Sequence, residues 1–258
     1  MVMNKAGLPK YLTIKQESKS TTPEMYIDGE IVTDEYKDND TSAAGFRNAL
    51  KSLGNVKNIN LHINSPGGSV FEGIAIYNML KQNSAHINVY VDGLAASIAS
   101  VIAMSGDAIF MPSNSMMMIH NPWTMAVGNA SELRKQADDL DQITKSSVQT
   151  YLAKAGDKLD EKTLTQLMDD ETWLTAQEAV NYGLADEVVE SNKAVASINK
   201  HFVDRYRHVP EQLIKQTEQE DNKAERKLAQ EQLNKIHEKA LANAKALNIS
   251  IKKLKEEF

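Results

Sequence analysis

The chain has 258 residues, enough for one large domain or for one domain with an appendage. Hydrophobic residues make up 41% and charged residues 25%, a balance that places it among globular proteins rather than disordered ones. The net charge of -6 argues against a nucleic-acid surface, and the absence of cysteine excludes disulfides and thiolate chemistry. No apolar run is long enough to span a bilayer, and the first twenty residues hold no signal-peptide core, so a cytoplasmic protein is expected.

Taken in chain order, "YLTIKQ" and "EMYIDGEIV" read as short strands. In "DEYKDNDTSAAGFRNALKSLG" an acidic stretch gives way to a helix with Ala43, Phe46, Leu50 and Leu53 on one face and Gly54 as its stop. "VKNINLHIN" is a strand and "SPGG" a turn. "SVFEGIAIYNMLKQ" is an amphipathic helix with Val70, Ile74, Tyr77 and Leu80 inward. "INVYV" is the next strand, and "VDGLAASIASVIAMSGD" passes from a buried strand end into a helix from about Ser97 to Met104. "AIFM" and "SMMMIH" are short strands, followed by a long helix over "NASELRKQADDLDQITKSSVQTYLAKAG". A short helix, "EKTLTQLM", leads into "DDETWLTAQEAVNYGLADEVVE". Strands alternating with helices predict α/β architecture, whose usual site lies where turns leave the strand ends.

Beyond about residue 200 glycine disappears, and Lys, Glu, Gln and Ala dominate. Leu233, Ile236, Ala240, Ala244, Leu247, Ile251 and Leu254 form an apolar stripe suited to an amphipathic helix or a short coiled coil.

Three turns hold residues with chemical potential. In "INSPGGSVFEG", Pro66 stiffens the chain, and Gly67 and Gly68 expose backbone N–H groups to a ligand, as an oxyanion hole requires; a plain strand-to-helix turn is the simpler reading. Ser97, a hydroxyl after two alanines at a helix start, is either an N-cap or a nucleophile. His120 ends an apolar strand before Asn121-Pro122, where it is either a general base or a turn residue. His62 and His86 lie on strands away from these turns, and His201, His208 and His237 fall in or near the solvated tail. Trp123 and Trp173 read as packing residues. No metal-ligand cluster and no phosphate-binding glycine motif is present, so no cofactor is expected. Glycine turn, serine and histidine, each at a strand end, together have the form of an acyl-transfer site.

"INSPGGSVFEGIAIYNML", "GLAASIASVIAMSGD", "SMMMIHNPW" and "WLTAQEAVNYGLADEV" together resemble the Clp-type serine peptidases, the ClpP family, over roughly residues 25–190. The resemblance implies a crotonase-like spiral of ββα units. It divides the chain into an N-terminal segment (1–24), a peptidase domain (25–192) and a charged helical C-terminal extension (193–258). It also implies a serine endopeptidase with Ser97 as nucleophile, His120 as base, and Gly68 and Ile98 N–H groups as the oxyanion hole. The helix near 130–156 would be the handle through which the family's rings associate. The family carries Asp in "D-x-F-L-[ST]-A"; here "ETWLTA" puts Glu171 in that register, with Asp169 and Asp170 nearby. A divergent N-terminus, the short "TMAVGNA" and the tail resemble the phage branch of head-maturation proteases, which process capsid or scaffold protein. Other readings are a housekeeping proteolytic subunit working with an AAA+ unfoldase, a non-catalytic ring-forming scaffold, and an acyl-CoA enzyme of the same fold. The last needs neither Ser97 nor His120.

Overall fold

The alternating apolar residues of the strand segments pair into one eight-stranded sheet. The computed structural model describes residues 12–13, 22–36, 40–191 and 206–211. Strand β1 (Leu12–Thr13) runs antiparallel to β2 (Glu24–Ile31), and β2 runs parallel to β3 (Asn58–Gly68). Helix α1 (Ala43–Ser52) precedes β3, and α2 (Val70–Lys81) joins β3 to the parallel strand β4 (His86–Ala96). Helix α3 (Ile98–Ala103) follows β4 directly. Beyond it lie β5 (Ala108–Pro112), β6 (Met116–Ile119) and the long helix α4 (Ala130–Ala155). A 3-10 turn (Gly156–Lys158) leads to α5 (Glu161–Asp169), β7 (Thr172–Thr175), α6 (Ala176–Asn181) and β8 (Glu187–Val189). The architecture is mixed α/β around a mainly parallel sheet, as the alternation of elements predicts.

Strand β4 forks the sheet. Its first half pairs with β5 through Asn88–Tyr90, and its last residues, Leu94–Ala96, pair with β6. Strand β6 in turn pairs antiparallel with β7, so the ends of β4, β6 and β7 stand side by side. These strand ends carry Ser97, His120 and Glu171.

"SPGG" is not the turn expected from its composition. It is the last stretch of β3, where Gly67 and Gly68 pair with Glu30 and Ile31 of β2 beyond a register shift. Their φ angles of 94° and 144° are open to glycine, and a Cβ on Gly68 would sit 2.1 Å from the Ile31 carbonyl oxygen. Pairing therefore continues to the strand end instead of breaking at Pro66.

Helix faces follow the apolar spacing with one adjustment. In α2 the fully buried residues are Gly73, Ile76 and Leu80, while Val70, Ile74 and Tyr77 pack half-buried at the edge of the core. In α1, Phe46 and Ala49 are buried and Ala43, Leu50 and Leu53 flank them. All six residues of α3 are buried, because it lies between α2, α4 and the sheet. Helix α4 begins with a capping box between Asn129 and Glu132, and α6 with one between Thr175 and Glu178.

The described residues 206–210 belong to the same compact unit as the sheet. The apolar stripe of 233–254, together with His201 and His237, lies outside the described residues. No helix among the described residues is long and apolar enough to cross a membrane.

Candidate active site

Ser97 occupies the N-cap position of α3 but makes no capping bond with its side chain. Its Oγ lies 2.7 Å from His120 Nε2. The turn that presents it is strained, with φ 55° and ψ -129° at a non-glycine residue. Such a conformation costs about 1–3 kcal/mol and persists only where its surroundings enforce it. Three bonds do so. Ser97 N–H donates to Met118 O at 2.9 Å, which ties the turn to β6. Ser100 O–H donates to the Ser97 carbonyl. Tyr151 of α4 lies 2.7 Å from Ser100 Oγ; with the Ser100 proton already committed, Tyr151 is the donor. Complete burial pushes the Tyr151 pKa up, so it stays a neutral donor.

The Ser100–Tyr151 brace was not foreseen from sequence. Its signal was there: Ser100 sits one helical turn after Ser97, and Tyr151 shares the buried face of α4 with Ser147, Val148 and Ala155.

His120 follows β6 and is half-buried. Burial pushes its pKa below the ordinary histidine value; the Glu171 charge opposes that and the Arg207 charge adds to it. The imidazole is therefore neutral near pH 7, free to take a proton from Ser97.

Of the three carboxylates considered from sequence, Glu171 is the buried one, at 8% exposure, and the one whose charge acts on His120. Asp169 is exposed and accepts from Asn121 Nδ2 at 2.6 Å, and Asp170 is exposed and accepts from Gln166 Nε2 at 2.8 Å. Glu171 is not hydrogen-bonded to His120, however. Its Oε1 accepts instead from the backbone N–H groups of Arg207 at 2.6 Å and His208 at 3.1 Å. Glu171 follows Asp170, the C-cap of α5, with φ 50°, in the left-handed region that usually calls for glycine. Among the described residues, Ser97 and Glu171 are the two non-glycine positions with positive φ. Backbone strain thus collects at the residues singled out for chemistry.

Gly67 and Gly68 run against the serine turn. A Cβ on Gly67 would lie 2.8 Å from Ser97 Cβ and 3.3 Å from Ile98 N, so only glycine lets these backbones meet. Gly68, Ser97 and His120 line one cleft of about 250 Å3, with Glu30, Val70 and Tyr206 completing its wall. Ile98 lies beside Ser97 in a small adjoining cavity of about 20 Å3, closed by Val101, Ser147 and Tyr151. As the first residue of α3, Ile98 has an N–H with no partner inside the helix. A larger cavity of about 590 Å3 flanks His120 and is lined by Trp123, Met168, Asp169, Glu171 and Arg207. Trp123, expected to pack, is 51% exposed on this cavity, and Trp173 meets the ring of Tyr206 edge-on.

His62 does not join this site. It is stacked between Tyr26 and Tyr90 on the sheet, with Nε2 on Glu24 at 2.7 Å and Nδ1 on Asp92 at 2.9 Å. His208, expected to be solvated, has an exposed side chain, but its backbone reaches Glu171. Among the described residues no group of three His, Asp or Glu is placed to hold a metal ion.

A family model described as Clp protease matches residues 16–192. The chain is 37% identical over 141 residues to the ATP-dependent Clp protease proteolytic subunit of Ligilactobacillus salivarius, a span of 54% of this chain and 71% of that protein. It is 35% identical over 142 residues to the subunit of the same name from Pleurastrum terricola, covering 54% and 71%. To the ATP-dependent Clp protease proteolytic subunit 1 of Salinibacter ruber it is 33% identical over 155 residues, covering 59% and 65%.

Proposed function

The chain belongs to the Clp protease family and is a serine-type peptidase; on that premise we propose that it cleaves peptide bonds through Ser97, His120 and Glu171. The observation that carries this reading is the 2.7 Å contact between His120 Nε2 and Ser97 Oγ on a strained turn. His120 takes the Ser97 proton as Oγ attacks the scissile carbonyl carbon. The N–H groups of Gly68 and Ile98 hold the oxygen that becomes negative. His120 then gives the proton to the leaving amine, and water, deprotonated by the same imidazole, releases the acyl group and restores Ser97. Glu171 stabilises the imidazolium by its charge.

The relatives carry the name of an ATP-dependent Clp protease proteolytic subunit. That supports work in the cytoplasm as a ring of identical subunits, fed by an AAA+ unfoldase, better than it supports processing of phage heads. The second reading, maturation of capsid or scaffold protein, rests on the sequence departures: the divergent start, the short "TMAVGNA" and the extension from 193 onward. In both readings the peptidase domain spans 25–192 in a crotonase-like spiral, which the β3–α2–β4–α3 succession supports.

Hydrolysis of a folded, tagged substrate by wild type and Ser97→Ala, with and without a Clp unfoldase and ATP, tests the first reading. Serine-dependent degradation only with the unfoldase is the expected result. Ser97-dependent truncation of a co-expressed capsid or scaffold protein without unfoldase, read by intact mass, would replace it with the second. Inactivity of wild type in both assays and toward short peptides would overturn the catalytic assignment.

A further inference from the structure

The contacts of Tyr206, Arg207 and His208 converge on the cleft of Ser97 and His120. The Tyr206 ring stands edge-on to His120 at 5.6 Å between centroids and edge-on to Trp173 at 5.9 Å. Its O–H donates to the carbonyl of Pro66, the residue before the Gly67–Gly68 backbone. It also walls the cleft that holds Gly68, Ser97 and His120. The next two backbone N–H groups both donate to Glu171 Oε1. Arg207 lines the larger cavity, where Asp169 and Glu171 supply negative charge.

We propose that this cleft is a binding site for a bent peptide with an aromatic residue followed by a basic one, and that residues 206–210 of the chain itself are its resident occupant. The proposal rests on the peptidase reading of the same site. The Tyr206 ring fills space beside Ser97 that a substrate side chain needs. Two successive N–H groups, at the bend through Arg207 and His208, engage the carboxylate that faces His120, so Glu171 recognises the backbone of a bent chain. The slot between His120 and Trp173 selects the ring, and the acidic cavity selects the base. With the segment seated, Glu171 is held by Arg207 and His208 while the Arg207 charge disfavours the imidazolium. An occupied site is therefore an inhibited one, and a protein substrate must displace the segment to reach Ser97.

A tethered occupant competes at an effective concentration of about a millimolar, so freeing the cleft changes apparent affinity without changing the intrinsic chemistry. The test uses the full chain and a fluorescent synthetic peptide, DRYRHVPE, matching residues 204–211. Fluorescence anisotropy compares its binding to Ser97→Ala and to Ser97→Ala combined with Tyr206→Ala. The double variant is expected to bind the peptide about tenfold more tightly. Tyr206→Phe, which keeps the ring and loses the bond to Pro66, is expected to fall between them and guards against a folding defect. With Ser97 restored, Tyr206→Ala is expected to raise kcat/KM for a short fluorogenic peptide, chiefly by lowering KM. Equal peptide affinity in all three chains would overturn the proposal, as would a fall in kcat/KM with a raised KM. A tenfold affinity difference in chains that hydrolyse nothing would uphold the occupant and discard the peptidase role.

Discussion

Two histidines, one within β3 and one just past β6, on opposite sides of β4, show how the same side chain is put to opposite uses. His62 sits in the middle of β3, directly in register with Tyr26 on β2 and Tyr90 on β4. A parallel register stacks these rings, and the stack continues to Phe110 on β5. Both ring nitrogens of His62 face carboxylates, Glu24 and Asp92. Burial disfavours its charged form, but the bonds and charges of Asp92 and Glu24 outweigh burial and raise its pKa. His120 is at a strand end, with one nitrogen on a hydroxyl and its nearest carboxylate committed elsewhere, and burial lowers its pKa. A histidine clamped on both sides by carboxylates holds a proton more tightly than a free one. One with a neutral ring against a strained serine is a base. The difference lies in what the second nitrogen meets.

The sharpest way to break the comparison is to remove each ring. His120→Ala is expected to lower kcat for peptide hydrolysis by about 10⁴-fold with little change in unfolding temperature. His62→Ala is expected to leave kcat within about twofold, as a residue that lines none of the cavities around Ser97 and His120 should. A large activity loss in both would erase the distinction.

Glu171→Gln comes next. Loss of a directly bonded triad carboxylate costs about 10⁴-fold, but Glu171 acts on His120 through charge alone, so a loss of about 10²-fold in kcat is expected. A loss as large as that of His120→Ala would mean that Glu171 swings onto the imidazole during turnover.

His62→Ala is expected to destabilise the fold by about 2 kcal/mol in urea titration, from the lost charge-assisted bonds and ring stacking. The cost depends on pH. Because the folded pKa of His62 is raised, its contribution is complete below about pH 6.5, the unfolded value, and is lost as pH rises through the folded pKa. The gap between wild type and variant should therefore narrow as pH rises above about 6.5. Glu24 and Asp92 flank the ring, and Asp28, whose pKa burial and the Asp92 charge raise, lies close enough to feel its charge.

The smallest effect concerns His120. Its lowered pKa means that neutral base persists below the ordinary histidine value, so the acid limb of kcat/KM should fall below about pH 6.5. Arg207→Gln removes a charge that lowers this pKa and should move the limb to higher pH. An unmoved limb would show that burial and the Glu171 charge set it without Arg207.

Much of this was legible in the sequence where one residue type serves one purpose. Apolar spacing marked the strands and helices from Glu24 to about Met168. Ser97 was legible only as a choice between cap and nucleophile, because both readings put a hydroxyl at a helix start; its Oγ bond and its φ settle its geometry. "SPGG" misled because proline and glycine signal turns locally, whereas here β2 supplies a partner that keeps them in a strand. Glu171 could not be separated from Asp169 and Asp170 by type, since all are carboxylates within three positions; burial separates them. Tyr206 carried no local signal at all, because its partners Pro66, His120 and Trp173 are distant in sequence.

By itself, then, the sequence determined the order of elements, the small residues around Ser97 and the family to which the chain is compared. Those features depend on periodicity and on side-chain size, which act over a few residues. Tertiary structure alone decided which nitrogen of which histidine meets which oxygen. The fork in β4 brings the ends of β4, β6 and β7 together, and Ser97, His120 and Glu171, from those three ends, become neighbours only through that pairing. The same pairing leaves the cleft into which Tyr206 fits, because hydrogen-bond geometry is set by distances across the sheet that no local stretch of chain encodes.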